Sequence, residues 1–178
     1  HQYQERIVKT MELYLKKYKS FDEGYREHGE KNFFIVGSPR SGTTLIESVV
    51  TANDKVFSGG ELKSGKDIIE RNILSKEQSL NELNHKFISK YIRRTSYLRG
   101  NYEYIVDKMP ENFLYTGLIQ KLLPRSKIIR VFRNPWDTAI SLYKQRYVLN
   151  VPYSVSFFNI GVFLANFEAI TSFWDQHI

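Results

Sequence analysis

Eight consecutive residues, Gly37-Ser38-Pro39-Arg40-Ser41-Gly42-Thr43-Thr44, gather small side chains, hydroxyls and one guanidinium between an apolar run and a helical pattern. The two glycines have the spacing of a phosphate-binding loop, in which backbone N–H groups and a helix N-terminus cradle an anion. That motif needs a Lys before its final Ser or Thr to reach the outer phosphates of a nucleoside triphosphate, and Thr43 stands there instead. ATP or GTP hydrolysis is therefore disfavoured. Arg40, inside the loop, supplies a fixed cation whose planar donors suit phosphate or sulfate oxygens. Ser38, Pro39, Arg40, Ser41, Gly42, Thr43 and Thr44 are accordingly expected to hold a phosphate-like group. A Gly-rich turn also forms where a strand and a helix merely pack closely, and this plainer reading stands beside the first.

The elements that must position such a loop are legible on either side of it. Phe33-Phe34-Ile35-Val36, closed by Gly37 and Pro39, has the character of a buried parallel strand. Tyr104-Ile105-Val106 and residues 128–132 read as two more strands. Helical spacing predicts helices over residues 5–20, around Leu45, Ile46, Val49 and Val50, over 112–123 and over 158–176. Ser79 with Glu82 forms a capping-box pattern that opens a helix running to about residue 95. Asn134 is placed to cap a helix with Pro135 in its first turn, extending to about residue 147. Strands alternating with helices imply an α/β fold, a P-loop-like three-layer arrangement with a central parallel sheet flanked by helices. Ligands bind such sheets beyond the carboxyl ends of the strands. Arg40 follows the first strand, Lys108 the second and Arg133 the third, so three cations are expected on one rim. A ligand with two separated anionic groups would suit them.

Composition narrows the field. With 178 residues, 42% of them hydrophobic, the chain suffices for one globular domain. The absence of cysteine excludes disulfide scaffolds, thiolate zinc sites and cysteine nucleophiles. His1, His28, His85 and His177 lack metal-ligand spacing, so no metal is expected. A net charge of +7 favours anionic partners without choosing among them. No apolar stretch approaches the roughly 20 residues of a membrane-spanning helix. Residues 1–17 lack the pattern of a secretory signal, and a cytoplasmic location is the expectation from both features.

Pro39-Arg40-Ser41-Gly42-Thr43-Thr44-Leu45 resembles the 5′-phosphosulfate loop of sulfotransferases that use 3′-phosphoadenosine 5′-phosphosulfate (PAPS), especially the tyrosylprotein and related bacterial kinds. Residues 130–141, Arg-Val-Phe-Arg-Asn-Pro-Trp-Asp-Thr-Ala-Ile-Ser, resemble that family's 3′-phosphate signature, with Arg133 ending a strand and Ser141 eight residues on. Glu61 in Gly59-Gly60-Glu61-Leu62 is similar to the tyrosylprotein family's catalytic base, and Lys108 in Asp107-Lys108-Met109-Pro110 resembles its catalytic lysine. The resemblance covers roughly residues 33–147. It implies residues 32–178 as the PAPS-binding part of a sulfotransferase domain whose family continues further, preceded over 1–31 by an amphipathic helix and connector. That first helix is similar to the segment before the domain in bacterial proteins that join helical repeats to a sulfotransferase.

The implied chemistry moves a sulfuryl group from PAPS to an acceptor hydroxyl on a peptide tyrosine, a carbohydrate or a small molecule, leaving 3′-phosphoadenosine 5′-phosphate (PAP) and needing no metal. Glu61 would be the general base, and Lys108, helped by Arg40, would stabilise the departing phosphate oxygen. Arg133 and Ser141 would hold the 3′-phosphate. Plainer roles stand beside these: a surface or capping carboxylate for Glu61, a solvated strand-end lysine for Lys108, an ion pair with Asp137 for Arg133. Other whole-chain readings are a domain that binds PAPS or PAP without catalysis, a nucleotide kinase and a basic nucleic-acid-binding module, which the cations and tyrosines over residues 91–104 favour.

Overall fold

The computed structural model describes residues 2–18, 28–74, 85–145 and 152–178. Four strands, β1 (Asn32–Gly37), β2 (Val56–Ser58), β3 (Tyr104–Asp107) and β4 (Lys127–Val131), form one sheet in the order β2-β3-β1-β4. All three pairings are parallel. The fold is thus the expected α/β arrangement, with one strand more than periodicity showed. At three residues and only partly buried, β2 is too short to carry an alternation signal.

Strand alternation divides the core between two faces. Phe34 and Val36 of β1 look into a large cluster that includes Phe113, Leu118, Ile160 and Trp174, while Ile35 joins Val106 and Val131 in a smaller one. Over the small face lies helix α2 (Thr43–Val50), which contributes Ile46 and Val50. Helices α1 (Gln2–Leu13), α3 (Lys63–Leu74), α4 (Arg93–Arg99), α5 (Thr116–Leu122), α6 (Pro135–Lys144) and α7 (Phe157–His177) make up the rest of the helical layers. A wider π turn, Tyr14–Tyr18, continues α1, and another, Phe87–Ile92, leads into α4. The Ser79–Glu82 pattern lies outside the described residues. Among the described residues, no helix is long and apolar enough to cross a membrane.

Several expected helices shift in physically intelligible ways. The segment expected as one helix over 112–123 begins as a 3-10 turn, Pro110–Tyr115, before α5. Asn134 caps α6 as its position implied, its Oδ1 accepting from the amides of Trp136 at 2.9 Å and Asp137 at 3.4 Å. Helix α3 has no counterpart in the periodicity reading, its sequence being mostly polar.

Helix α1 and the π turn that continues it insert Ile7 and Tyr14 into the large cluster. The Tyr14 ring meets Trp174 edge-on at 5.1 Å, and its hydroxyl donates to the His177 carbonyl at 3.0 Å. Trp174 in turn lies over Gly117 of α5, where an added Cβ would come within 2.4 Å of the indole ring. Gly161, inside α7, faces open space.

Alanine at these two glycines is expected to act in opposite directions. Gly117→Ala should destabilise the protein by about 1–3 kcal/mol through overpacking against Trp174. Gly161→Ala should stabilise it by about 1 kcal/mol through helix propensity alone. Urea denaturation midpoints at constant m-value provide the check.

Candidate active site

The carboxyl ends of all four strands lie on one edge of the sheet, since Gly37 pairs with Val131, Phe34 with Asp107 and Ser58 with Val106. The loop at residues 37–44 leaves β1 there and turns into α2. Two positive φ angles, 70° at Arg40 and 103° at Gly42, reverse the backbone inside the loop. A non-glycine residue in the left-handed region stores strain of the sort found at binding sites. Gly37 meets the requirement for close approach as well: a Cβ there would stand 2.8 Å from both the Val131 carbonyl and Ser41 Oγ. The plainer reading of the loop as a packing device therefore holds at Gly37, but it gives no reason for Arg40.

Ser38, Ser41 and Thr43 are buried. Ser41 Oγ has no hydrogen-bond partner among the described residues. A buried hydroxyl without a partner costs free energy unless something occupies it, so the loop has the donor set and the unmet demand of an anion cradle.

Contacts tie this loop to α6 and to the residue before its cap. Arg40 Nε donates to Ser141 Oγ at 3.0 Å, and Arg133 Nη1 donates to the Arg40 carbonyl at 3.1 Å. The structure thus brings Arg40, Arg133 and Ser141 together, the two arginines exposed and the serine partly buried. Beside them opens a largely apolar cavity of about 640 Å³, lined in part by Ser38, Ser41, Phe132, Arg133, Trp136 and Leu164.

On the other side of β1, Lys108 leaves β3 and is buried rather than solvated, with its side chain 10% exposed. Its Nζ donates to Glu61 Oε1 at 3.0 Å, and Glu47 Oε2 lies 3.8 Å away. The Glu61 side chain is 53% exposed. Backbone contacts lock this corner: Gly59 N–H donates to the Val106 carbonyl at 2.9 Å and Lys108 N–H to the Gly60 carbonyl at 2.8 Å. A Cβ on Gly59 would fall 2.6 Å from the Val106 carbonyl, and Gly60 turns with φ +62°. The dipeptide between Ser58 and Glu61 is thus needed to bring Glu61 back over Lys108.

Three groups were not singled out by the sequence reading. Glu47 was hidden by the expectation of an apolar helix. Leu45 and Val49 are 67% and 64% exposed, while Thr43 and Glu47 are the buried residues of α2. The signal available was position, since Glu47 lies one turn beyond Thr43 on the helix that leaves the loop. Ser58 donates to Glu47 Oε1 at 2.8 Å. Asp107, wholly buried beside Lys108, accepts from the buried Tyr91 hydroxyl at 2.6 Å. Burial pushes the Asp107 carboxyl up to about 7, the nearby Glu47 charge adding to the rise while the Tyr91 hydroxyl and the Leu62 and Met109 amides oppose it. Among the described residues no group of histidines and carboxylates could hold a metal ion.

A family model described as "Sulfotransferase family" matches residues 32–177. An uncharacterized protein from Aquifex aeolicus (strain VF5) is 28% identical, the alignment covering 96% of this chain and 25% of that protein. The chain therefore spans about a quarter of the length of the curated relative it matches.

The Asp107 carboxyl generates a pH dependence with a definite sign. Between about pH 4 and about 7 the folded protein retains a proton that the unfolded chain has released, so stability from this group falls as pH rises and is gone above about 7. Asp107→Asn keeps an acceptor for Tyr91 and should abolish this part of the decline. Melting temperatures compared at pH 5 and pH 8 should fall less in the variant than in the wild-type protein.

Proposed function

The chain belongs to the sulfotransferase family, and from that premise we propose that it binds PAPS and transfers its sulfuryl group to an acceptor hydroxyl. The observation that carries this reading is the division of the strand-end rim. Arg40 bonds both Arg133 and Ser141 at its β4 side, and a buried lysine faces an exposed carboxylate at its β2–β3 side. Such a rim has one place for a doubly anionic nucleotide and another for proton and charge chemistry.

The residues present fit the donor. The loop amides at the start of α2, Arg40 and the unpaired Ser41 hydroxyl offer donors to the 5′-phosphosulfate. Arg133 and Ser141 hold the 3′-phosphate by charge-assisted and hydroxyl hydrogen bonds. When bound, PAPS supplies a sulfur whose bond to a phosphate oxygen is ready to break.

Glu61 accepts the proton of the acceptor hydroxyl as the new oxygen–sulfur bond forms. Its half-exposed side chain leaves it open to an incoming acceptor. Lys108 and Arg40 stabilise the phosphate oxygen that keeps the electron pair of the broken bond, so PAP leaves as the product. Atoms and charge balance without a metal. The acceptor class is a hydroxyl compound, with peptide tyrosine, carbohydrate and small phenols all compatible with a carboxylate base beside a lysine.

Two variants test the assignment. Arg133→Ala should raise the dissociation constant of PAP about ten- to a hundredfold, the worth of a hydrogen bond to a charged group. It should leave that of AMP, which lacks the 3′-phosphate, unchanged in calorimetric titration. Equal losses for both nucleotides would refute the 3′-phosphate role. Glu61→Gln should lower kcat by about 10²–10⁴-fold with PAP affinity intact; loss of PAP binding instead would assign Glu61 to the nucleotide site.

A further inference from the structure

Lys108 has two carboxylate neighbours of different character, and only one of them is free to move. Glu61 follows a glycine pair and is half exposed, with its Oε1 3.0 Å from the ammonium. Glu47 projects from α2 with its side chain 11% exposed, its Oε1 fixed by the Ser58 hydroxyl at 2.8 Å and its Oε2 3.8 Å from the same ammonium. Burying a carboxylate is costly unless it is paired and hydrogen-bonded. Glu47 meets both conditions through Lys108 and Ser58, on a face of α2 that it shares with Ile46 and Val50 while Leu45 and Val49 stay in solvent.

The reaction proposed above demands that Lys108 change partners. A base that has taken a proton is neutral, and a lysine that turns to a departing phosphate oxygen must leave the base. A buried ammonium with Glu61 as its sole counter-ion would be uncompensated whenever Glu61 was protonated or turned toward an acceptor. Glu47 removes that difficulty, because its carboxylate is buried from solvent and fixed by Ser58.

We infer that Glu47 is a positioning residue, the standing counter-ion that holds the Lys108 ammonium in place while Glu61 is released to act as base. Its role in turnover rests on the sulfotransferase reading; the anchoring of Lys108 does not. Ser58 completes the device by fixing the carboxylate from the end of β2, so α2, β2 and β3 each contribute one group.

The test uses Glu47→Gln in the whole chain, with two readouts. The first is the ¹H–¹⁵N signal of the Lys108 ammonium, assigned by its loss in Lys108→Met and recorded without any ligand. An ammonium held between fixed acceptors gives a sharp signal, and Glu47→Gln should broaden or abolish it. The second is steady-state kinetics with PAPS. Here kcat should fall by about a hundredfold, the effect of a misplaced group, while the donor KM stays within about twofold.

If Glu47→Gln fails to fold, Ser58→Ala takes its place, since it removes only the hydroxyl that fixes Glu47; broadening of the same signal is expected. A sharp, unshifted Lys108 signal in a folded variant overturns the inference. So does loss of PAP affinity in place of kcat, which would make Glu47 a support of the loop. A chain that moved no sulfuryl group from PAPS would sink the functional reading, yet the ligand-free spectrum would still decide whether Glu47 anchors Lys108.

Discussion

A buried ammonium needs opposite charge within a few ångströms, and much of this structure's strand-end edge follows from meeting that need for Lys108. Its carboxylates come from two directions, Glu61 from beyond β2 and Glu47 from α2. To deliver Glu61, the end of β2 must hug β3 so tightly that position 59 has no room for a Cβ. Glu47 reaches the ammonium from the buried face of α2, which also carries Ile46 and Val50 onto the sheet. Leu45 and Val49 lie on the opposite side of this eight-residue helix and are exposed.

The sheet order distributes the remaining chemistry. With β1 between β3 and β4, the loop that leaves β1 lies between the Lys108 corner on one flank and Arg133 with Ser141 on the other. Arg40 joins the loop to the β4 flank through both its backbone carbonyl and its guanidinium. One turn of α2 joins the loop to the other flank through Glu47. Both flanks are thus tied to the loop, which suits the proposed binding of one nucleotide by its two ends beside an acceptor.

The rigidity for this comes from the opposite face of β1. There Phe34 and Val36 rest on a cluster assembled from α1 and the turn after it, α3, α5, α6, α7 and the segments before α4 and α5. Aromatic edge contacts among Tyr14, Phe173 and Trp174 close it at one end. Arg6 of α1 bonds Glu70 of α3 and the Tyr115 hydroxyl, so the first helix is tied by charge as well as by packing. The strand-end residues can therefore carry strain, such as the left-handed Arg40, on a base that does not yield.

What the sequence by itself determined are the features encoded by near neighbours: three of the four strands, the cap at Asn134, the last helix and the α/β class. Its loop motif also directed attention to Arg40, and chain order to the three strand ends. Helix α3 and short β2 escaped because their periodicity is weak, while α2, expected as a helix, holds a buried Glu47 that no pattern marked. Only the tertiary structure decided which charges meet. That Lys108 is buried between Glu47 and Glu61, that Ser58 fixes Glu47, and that Tyr91 binds Asp107 all depend on elements distant in sequence. Their pairing is set by sheet order and by the cost of leaving a buried charge alone, which no local pattern of residues records.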